Sequence, residues 1–176
     1  YIPDSLTHEF KTAHGRTVRD GGGITPDVTI EGHDYSRLTY SLVYSGIIQE
    51  YALDYVREHA DADEDFHLAD KDWDGFVAFA KTKEFDYRSS AKTYFDRMKK
   101  ELEKDGLSKN MSAELDALQK ALEMDKETFL KLKKDEIVPF IEEEIAVRYH
   151  FQEAGIKIRL RYDDQLKKAL ASPMIE

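Results

Sequence analysis

Cysteine is absent from the 176 residues. That excludes disulfides, thiolate metal sites and Cys nucleophiles, while leaving the redox compartment open. Positive charge is in deficit, with 26 Lys and Arg against 36 Asp and Glu, a formal net charge of −10. Phosphate-backbone binding needs clustered cations, so no nucleic-acid partner is expected. No run of about 18 apolar residues exists, so no membrane span is expected either. A signal-peptide pattern is missing, and the first residue is Tyr1 rather than Met, so the chain reads as part of something longer. What is present suffices for a core: 41% of residues are hydrophobic and 11% aromatic. The 35% charged fraction predicts a heavily solvated surface around it.

Two regimes divide the chain near residue 34, giving a predicted terminal β segment over 1–34 and a helical domain over 35–176. The first holds five of the nine glycines, with Pro3 and Pro26. Phe10 and Thr12 precede Ala13-His14-Gly15, and Thr17 and Val18 follow it, which reads as a β-hairpin turned at a glycine. Val28-Thr29-Ile30 suggests a further short strand. A lone hairpin is marginal in water, so this segment should pack on other structure. From Tyr35 onward the apolar period is helical. The expected fold class is mainly α (α+β), about six helices preceded by the hairpin. The spacing predicts a first helix over 36–59, then an acidic linker over 61–65. A short helix around Trp73 to Ala80 follows, and then one carrying Tyr94, Phe95, Met98 and Leu102 that stops at Gly106. Met111 to Leu122 gives a further helix, and Asp125 caps a short one. A longer helix runs over 135–154, with Gly155 as its stop. Ile156, Ile158 and Leu160 alternate with charges and read as a strand-like connector. Asp164 caps a last helix through Leu170.

Candidate chemistry is sparse. Asp70, Asp72, Asp74 and Gly75 match positions 1, 3, 5 and 6 of an EF-hand loop, but position 12 is Lys81 where a bidentate Glu is needed. Capping of the second helix by Asp72 or Asp74 is therefore favoured over calcium. The six histidines His8, His14, His33, His59, His67 and His150 show no i, i+4 pairing, and no metal site is assigned. Glu142, Glu143, Glu144 and His150 share a helix without the Glu-x-x-His of a di-iron bundle, and Glu144 with Arg148 reads as an i, i+4 ion pair. No Gly-x-Ser-x-Gly, Ser-x-x-Lys or phosphate loop occurs. Tyr40, Tyr44, Tyr51 and Tyr55 line one helix and read as packing aromatics with hydroxyls at the rim, or as a groove.

One stretch is more specific. Leu6-Thr7, Lys11-Thr12, Gly15-Arg16-Thr17-Val18 and Gly23-Ile24-Thr25-Pro26-Asp27-Val28 form an ordered series. It resembles the segment that follows the catalytic Lys in C-terminal processing (tail-specific) serine peptidases, where a Pro-Ser-Gly-Arg turn leads to Gly-Ile-x-Pro-Asp. Here Ala13-His14 replaces Pro-Ser, and Asp20-Gly21-Gly22-Gly23 is similar to Bacteroidetes-type members. Trp73, Phe76 and Phe79, the Ile145 to Tyr149 stretch and the Asp164 to Leu170 ending resemble the helical C-terminal extension of such proteins. The resemblance implies a Ser nucleophile, a Lys base and a PDZ module upstream of this chain, so no catalytic residue and no cofactor is assigned here. It implies structural roles for Gly15, Arg16, Gly23, Pro26 and Asp27. The implied partners are the parent peptidase core and its protein or peptide substrates, with self-association possible. The implied location is the bacterial periplasm or cell envelope. The alternative is a free-standing α-helical interaction module, against which the hairpin's unpaired edges count.

Overall fold

A computed structural model describes residues 6–21, 29–32 and 34–172. Among them lie one two-stranded sheet and eight α-helices, a mainly helical architecture with a small antiparallel hairpin. Two compact units are distinguished: Asp34–Tyr162, and Tyr1–His33 together with Asp163–Glu176. In the second unit, β1 (Glu9–Lys11) pairs with β2 (Thr17–Arg19) in the register Glu9 to Arg19, Phe10 to Val18 and Lys11 to Thr17. Of the predicted third strand, Thr29 and Ile30 are irregular, and Val28 lies outside the described residues.

The larger unit is built on the pairing of α2 (Ile47–Glu58) with α7 (Lys134–Tyr162). Leu38 and Leu42 from α1 (Arg37–Tyr44) join Ile48 and Ala52 from α2 in the core. Trp73 and Phe76 from α3 (Asp70–Lys81), Leu130 from α6 (Lys126–Leu132), and Ile137, Ile141 and Ile145 from α7 complete it. Each buried Leu, Ile or Phe among these contributes about 1.5–3 kcal/mol relative to exposure. The single helix expected over 36–59 is two. Gly46 sits at φ 76°, a left-handed conformation that breaks the helical ladder, and its N–H donates to the Val43 carbonyl at 3.2 Å. Gly106, at φ 73°, ends α4 (Ser90–Lys104) as its position predicted, with the Leu107 N–H reaching the Leu102 carbonyl at 2.9 Å. Asp125 caps α6, accepting from the Thr128 N–H at 2.9 Å. The last helix, α8 (Asp164–Ala171), is capped one residue earlier than expected, by Asp163.

The largest departure is α7. The expected strand over 156–160 is helix; the chain stays helical to Tyr162, interrupted only at His150 (φ −127°) and Phe151 (φ 62°, ψ −169°). The contacts across this break run in opposite directions along its two arms. A side chain at Gly155 would strike Val147, Arg159 pairs with Glu143 at 3.0 Å, and Arg161 with Glu142 at 3.0 Å. The chain therefore doubles back as a tight helical corner. Ala146, Ala154 and Ile158 form a small cluster between the arms, and Gly155 is not a stop but the point of closest approach. The alternation of Ile156, Ile158 and Leu160 mimics a strand because the second arm is short and only Ile158 is buried.

Phe151 occupies backbone space that is close to Gly-only, and its side chain is 81% exposed. Two opposite effects follow in urea unfolding. Phe151→Gly should raise stability by about 1 kcal/mol through release of strain. Gly155→Ala should lower it by about 1–3 kcal/mol through overpacking. A Gly155→Ala variant as stable as the parent would show that the arms do not pack as described.

Candidate functional site

The hairpin carries the turn that drew notice in the sequence. Gly15 takes φ 81° and its N–H donates to the Thr12 carbonyl at 2.9 Å; the Thr12 N–H donates to the Arg16 carbonyl at 2.8 Å. The Arg16 N–H donates to the Thr12 hydroxyl at 3.2 Å, which closes the loop. Around it, Glu9 and Arg19 pair at 2.7 Å, and the His8 N–H donates to Asp20 at 2.6 Å. That backbone N–H, ahead of the His8 ring, holds the Asp20 carboxyl below the usual carboxylate range. Gly23, Pro26 and Asp27 lie outside the described residues, as does His33.

The Asp70 to Gly75 series lies within α3, so these carboxylates are spread around a helix rather than folded into a loop. Neither Asp72 nor Asp74 caps it. The cap position is Ala69, without a side-chain bond; the helix begins at Asp70, so Asp72 already lies inside its first turn and Asp74 beyond it. Asp70 instead pairs with Lys134 at 2.6 Å. The Asp72 carbonyl accepts the Tyr51 hydroxyl at 2.6 Å. Burial raises the Tyr51 hydroxyl and brings Tyr55 to about 12, with Asp72 adding to both. Tyr51 and Tyr55 thus pack against α3, while Tyr40 and Tyr44 stack on each other at the surface, ring centroids 6.2 Å apart. Among the described residues no group of three or more His, Asp or Glu side chains converges as a metal site. Three serines serve structure: Ser36 and Ser89 cap α1 and α4, and Ser41 accepts from the Asp86 N–H at 2.9 Å.

The most elaborate polar constellation is one that the sequence did not announce. Glu142 is only 2% exposed on α7. One of its oxygens accepts the Leu68 N–H at 2.8 Å; the other accepts Arg161 at 3.0 Å and the Tyr162 hydroxyl at 2.7 Å. Arg161 reaches on to the Phe66 carbonyl at 2.9 Å and to Asp65. Burial and Glu142 together lift the Tyr162 hydroxyl to about 12, so it remains a donor at neutral pH. Nearby, Tyr149 donates to the His59 carbonyl at 2.6 Å, and a His150 ring nitrogen lies 2.6 Å from the Ala62 carbonyl. The acidic linker is therefore fastened along the corner of α7. The one signal in the sequence was an acid interrupting an apolar stripe, since Glu142 stands four residues after Val138 and three before Ile145. Every group in the cluster already has a structural partner, so it has the chemistry of a clamp. The expected Glu144–Arg148 ion pair exists and does more than stabilise its helix: Arg148 also donates to the Gln49 carbonyl at 3.3 Å, tying α7 to α2.

A second clamp joins the start of α7 to the start of α1. Glu136 accepts the Ser36 N–H and the Thr39 hydroxyl, each at 2.9 Å, and pairs with Lys133. Burial pushes its carboxyl up, but Lys133, Ser36 and Thr39 outweigh that and hold it at about 2, against an ordinary 4.5. A carboxylate depressed on folding stabilises the fold above its unfolded pKa. That contribution, of order 2–3 kcal/mol, is lost as pH falls from about 4.5 towards 2. Glu136→Gln should be less stable at pH 7 and lose markedly less stability over that window. An unchanged acid slope in chemical denaturation would refute the assignment.

The Glu142 clamp is tested by a double-mutant cycle. Glu142→Ala should cost about 3–5 kcal/mol because it leaves the Leu68 N–H and the Tyr162 hydroxyl without their acceptor and Arg161 with only the exposed Asp65. Glu142→Ala/Arg161→Ala should cost clearly less than the sum of the single changes. Additive losses would mean that the pair acts only through packing.

Comparison with known proteins adds one finding. No curated protein and no solved structure matches the chain. One family model does, over residues 38–172, and that span covers α8 and all but the first residue of the larger unit's helices. Its description is a probable PDZ-protease, C-terminal helical domain. With most of its length inside that match, the chain belongs to the family of C-terminal helical domains of probable PDZ-proteases.

Proposed function

We propose that this chain is the terminal, non-catalytic part of a serine endopeptidase of the C-terminal processing kind. The family match over residues 38–172 carries the protease association. The Gly15-Arg16 turn, and the Gly23, Pro26 and Asp27 series after it, support placing residues 1–34 as the end of the peptidase core. Gly15 has the left-handed φ that such a turn requires, and Arg16 follows it directly. Catalysis would then reside in a Ser and a Lys upstream, in a parent that works in the bacterial envelope. The helical domain, 35–176, acts on substrate access, on docking to the core, or on assembly. Its two clamps support that role, since they hold the ends of α7 to α1 and to the segment before α3 as a stiff platform.

Two measurements test the reading. The coding sequence upstream of Tyr1 should run into a PDZ-like stretch, a Ser and then a Lys; a start codon just before Tyr1 would favour a free-standing module instead. The purified 176-residue chain should leave fluorogenic and protein substrates uncleaved. Serine-directed hydrolysis that survives contaminant controls would overturn the non-catalytic assignment.

A further inference from the structure

The reversal of α7 joins two helical arms, residues 134–149 and 152–162, through a hinge of two residues, His150 and Phe151. The contacts between the arms are symmetric about that hinge. A side chain at Gly155 would meet Val147, and these two positions stand four residues after and four before Phe151. Arg159 meets Glu143, eight after and eight before it. Arg161 meets Glu142 about nearly the same centre. Pairs centred on one residue are those of an antiparallel helix pair whose two-fold axis passes that residue. Two copies of this chain with opened hinges would therefore make each of these contacts twice, every arm lying against the opposite arm of the other copy.

The hinge itself favours opening. Phe151 holds backbone space that is close to Gly-only, and once the corner opens, it and His150 can take the helical backbone of their neighbours. Short hinges under strain promote the exchange of an element between copies. The groove that a departing arm leaves is specific for an arm of this sequence. Val147 leaves no room for a side chain opposite it, and Glu142, only 2% exposed, requires the Arg161 and Tyr162 donors. Glu143 and Arg159 add a second charge pair. A lone open chain would forfeit all of these contacts, so the arm is released only where another replaces it. Phe151 gains as well: it is 81% exposed in the closed chain, whereas at the axis the two copies of residue 151 lie together. We propose that residues 152–162 exchange between two copies of this chain, α7 opening at His150 and Phe151 so that a two-fold dimer is closed by the contacts that otherwise close the monomer. The exchange needs only the geometry of α7 and does not depend on the protease reading above.

The absence of cysteine permits a direct test. Val147→Cys/Gly155→Cys places two thiols within disulfide reach across the arms of the intact 176-residue chain, because a Cβ at 155 already meets the Val147 side chain. The reduced variant is unfolded in urea and refolded at low and at high concentration. Size-exclusion chromatography with light scattering separates monomer from dimer, and each fraction is diluted, oxidised with diamide and run on a non-reducing gel. Refolding at high concentration should yield a dimer whose disulfides run between chains, while the monomer fraction closes its disulfide within the chain. In the otherwise unaltered chain, Phe151→Gly relieves the closed corner and weakens an opened helix, so it should lower the dimer association constant about tenfold or more. Circular dichroism confirms that each variant keeps the fold. Should the cysteine pair disturb it, Glu143→Cys/Arg159→Cys joined by a short bismaleimide gives the same readout. Three results would overturn the proposal: a chain that is monomeric at every concentration, a dimer whose cysteines close within each chain, or a dimer that Phe151→Gly leaves unchanged or strengthens. None of these bears on whether the chain cleaves peptides, so failure here leaves the non-catalytic reading standing.

Discussion

A carboxylate withdrawn from water must be matched by donors, and Glu142 meets that demand from two separate parts of the chain. Leu68 supplies a backbone N–H from the segment just before α3, while Arg161 and Tyr162 come from the second arm of α7. An unmatched charge there would cost several kcal/mol, so the linker, the corner and the end of the helix are held in place together. The strain at Phe151 is tolerable for the same reason. Backbone in sparsely populated space persists only where its surroundings over-determine it, and here Tyr149, His150, Gly155 and Arg161 all fix the corner.

The larger unit thus has parts of unequal firmness. Around α2 and α7 lie the fully buried Ile48, Phe76, Ile137, Ile141 and Ile145, with polar clamps at Glu136, Glu142 and Arg148. The pair of α4 and α5 (Ser112–Leu122), in which only Phe95 and Leu115 are buried, has a thin seam and no such clamp, although Lys99 bonds Gln119 across it at 2.9 Å. Few buried apolar contacts mean a lower local cost of opening.

The protease association comes from the helical residues, 38–172, whereas the turn motif that first suggested a peptidase lies before them. The two lines are independent because they rest on non-overlapping segments. Under the proposed function their junction, near residue 34, marks the passage from an acyl-transfer core to an appendage that chooses or positions substrates.

Local physics was legible in the sequence. The hairpin at Gly15, the helix ends at Gly106 and Asp125, and the apolar stripes of α1 to α6 all depend on residues within a turn or two of one another. Misreadings arose where a distant partner decided the outcome. Gly46 looks ordinary within a helical period, yet it splits the first helix. Gly155 looks like a stop, but it exists to let Val147 approach across the corner. Glu142 looks like one more surface acid among three, and the clamp it forms draws on residues 74 and 19 positions away. By itself, then, the sequence determined helix content, most helix ends, the turn and the acidic surface, because capping, periodicity and charge act over a few residues. Only the tertiary structure decided the reversal of α7 and which carboxylate would be buried, because those follow from packing between arms that no local pattern records.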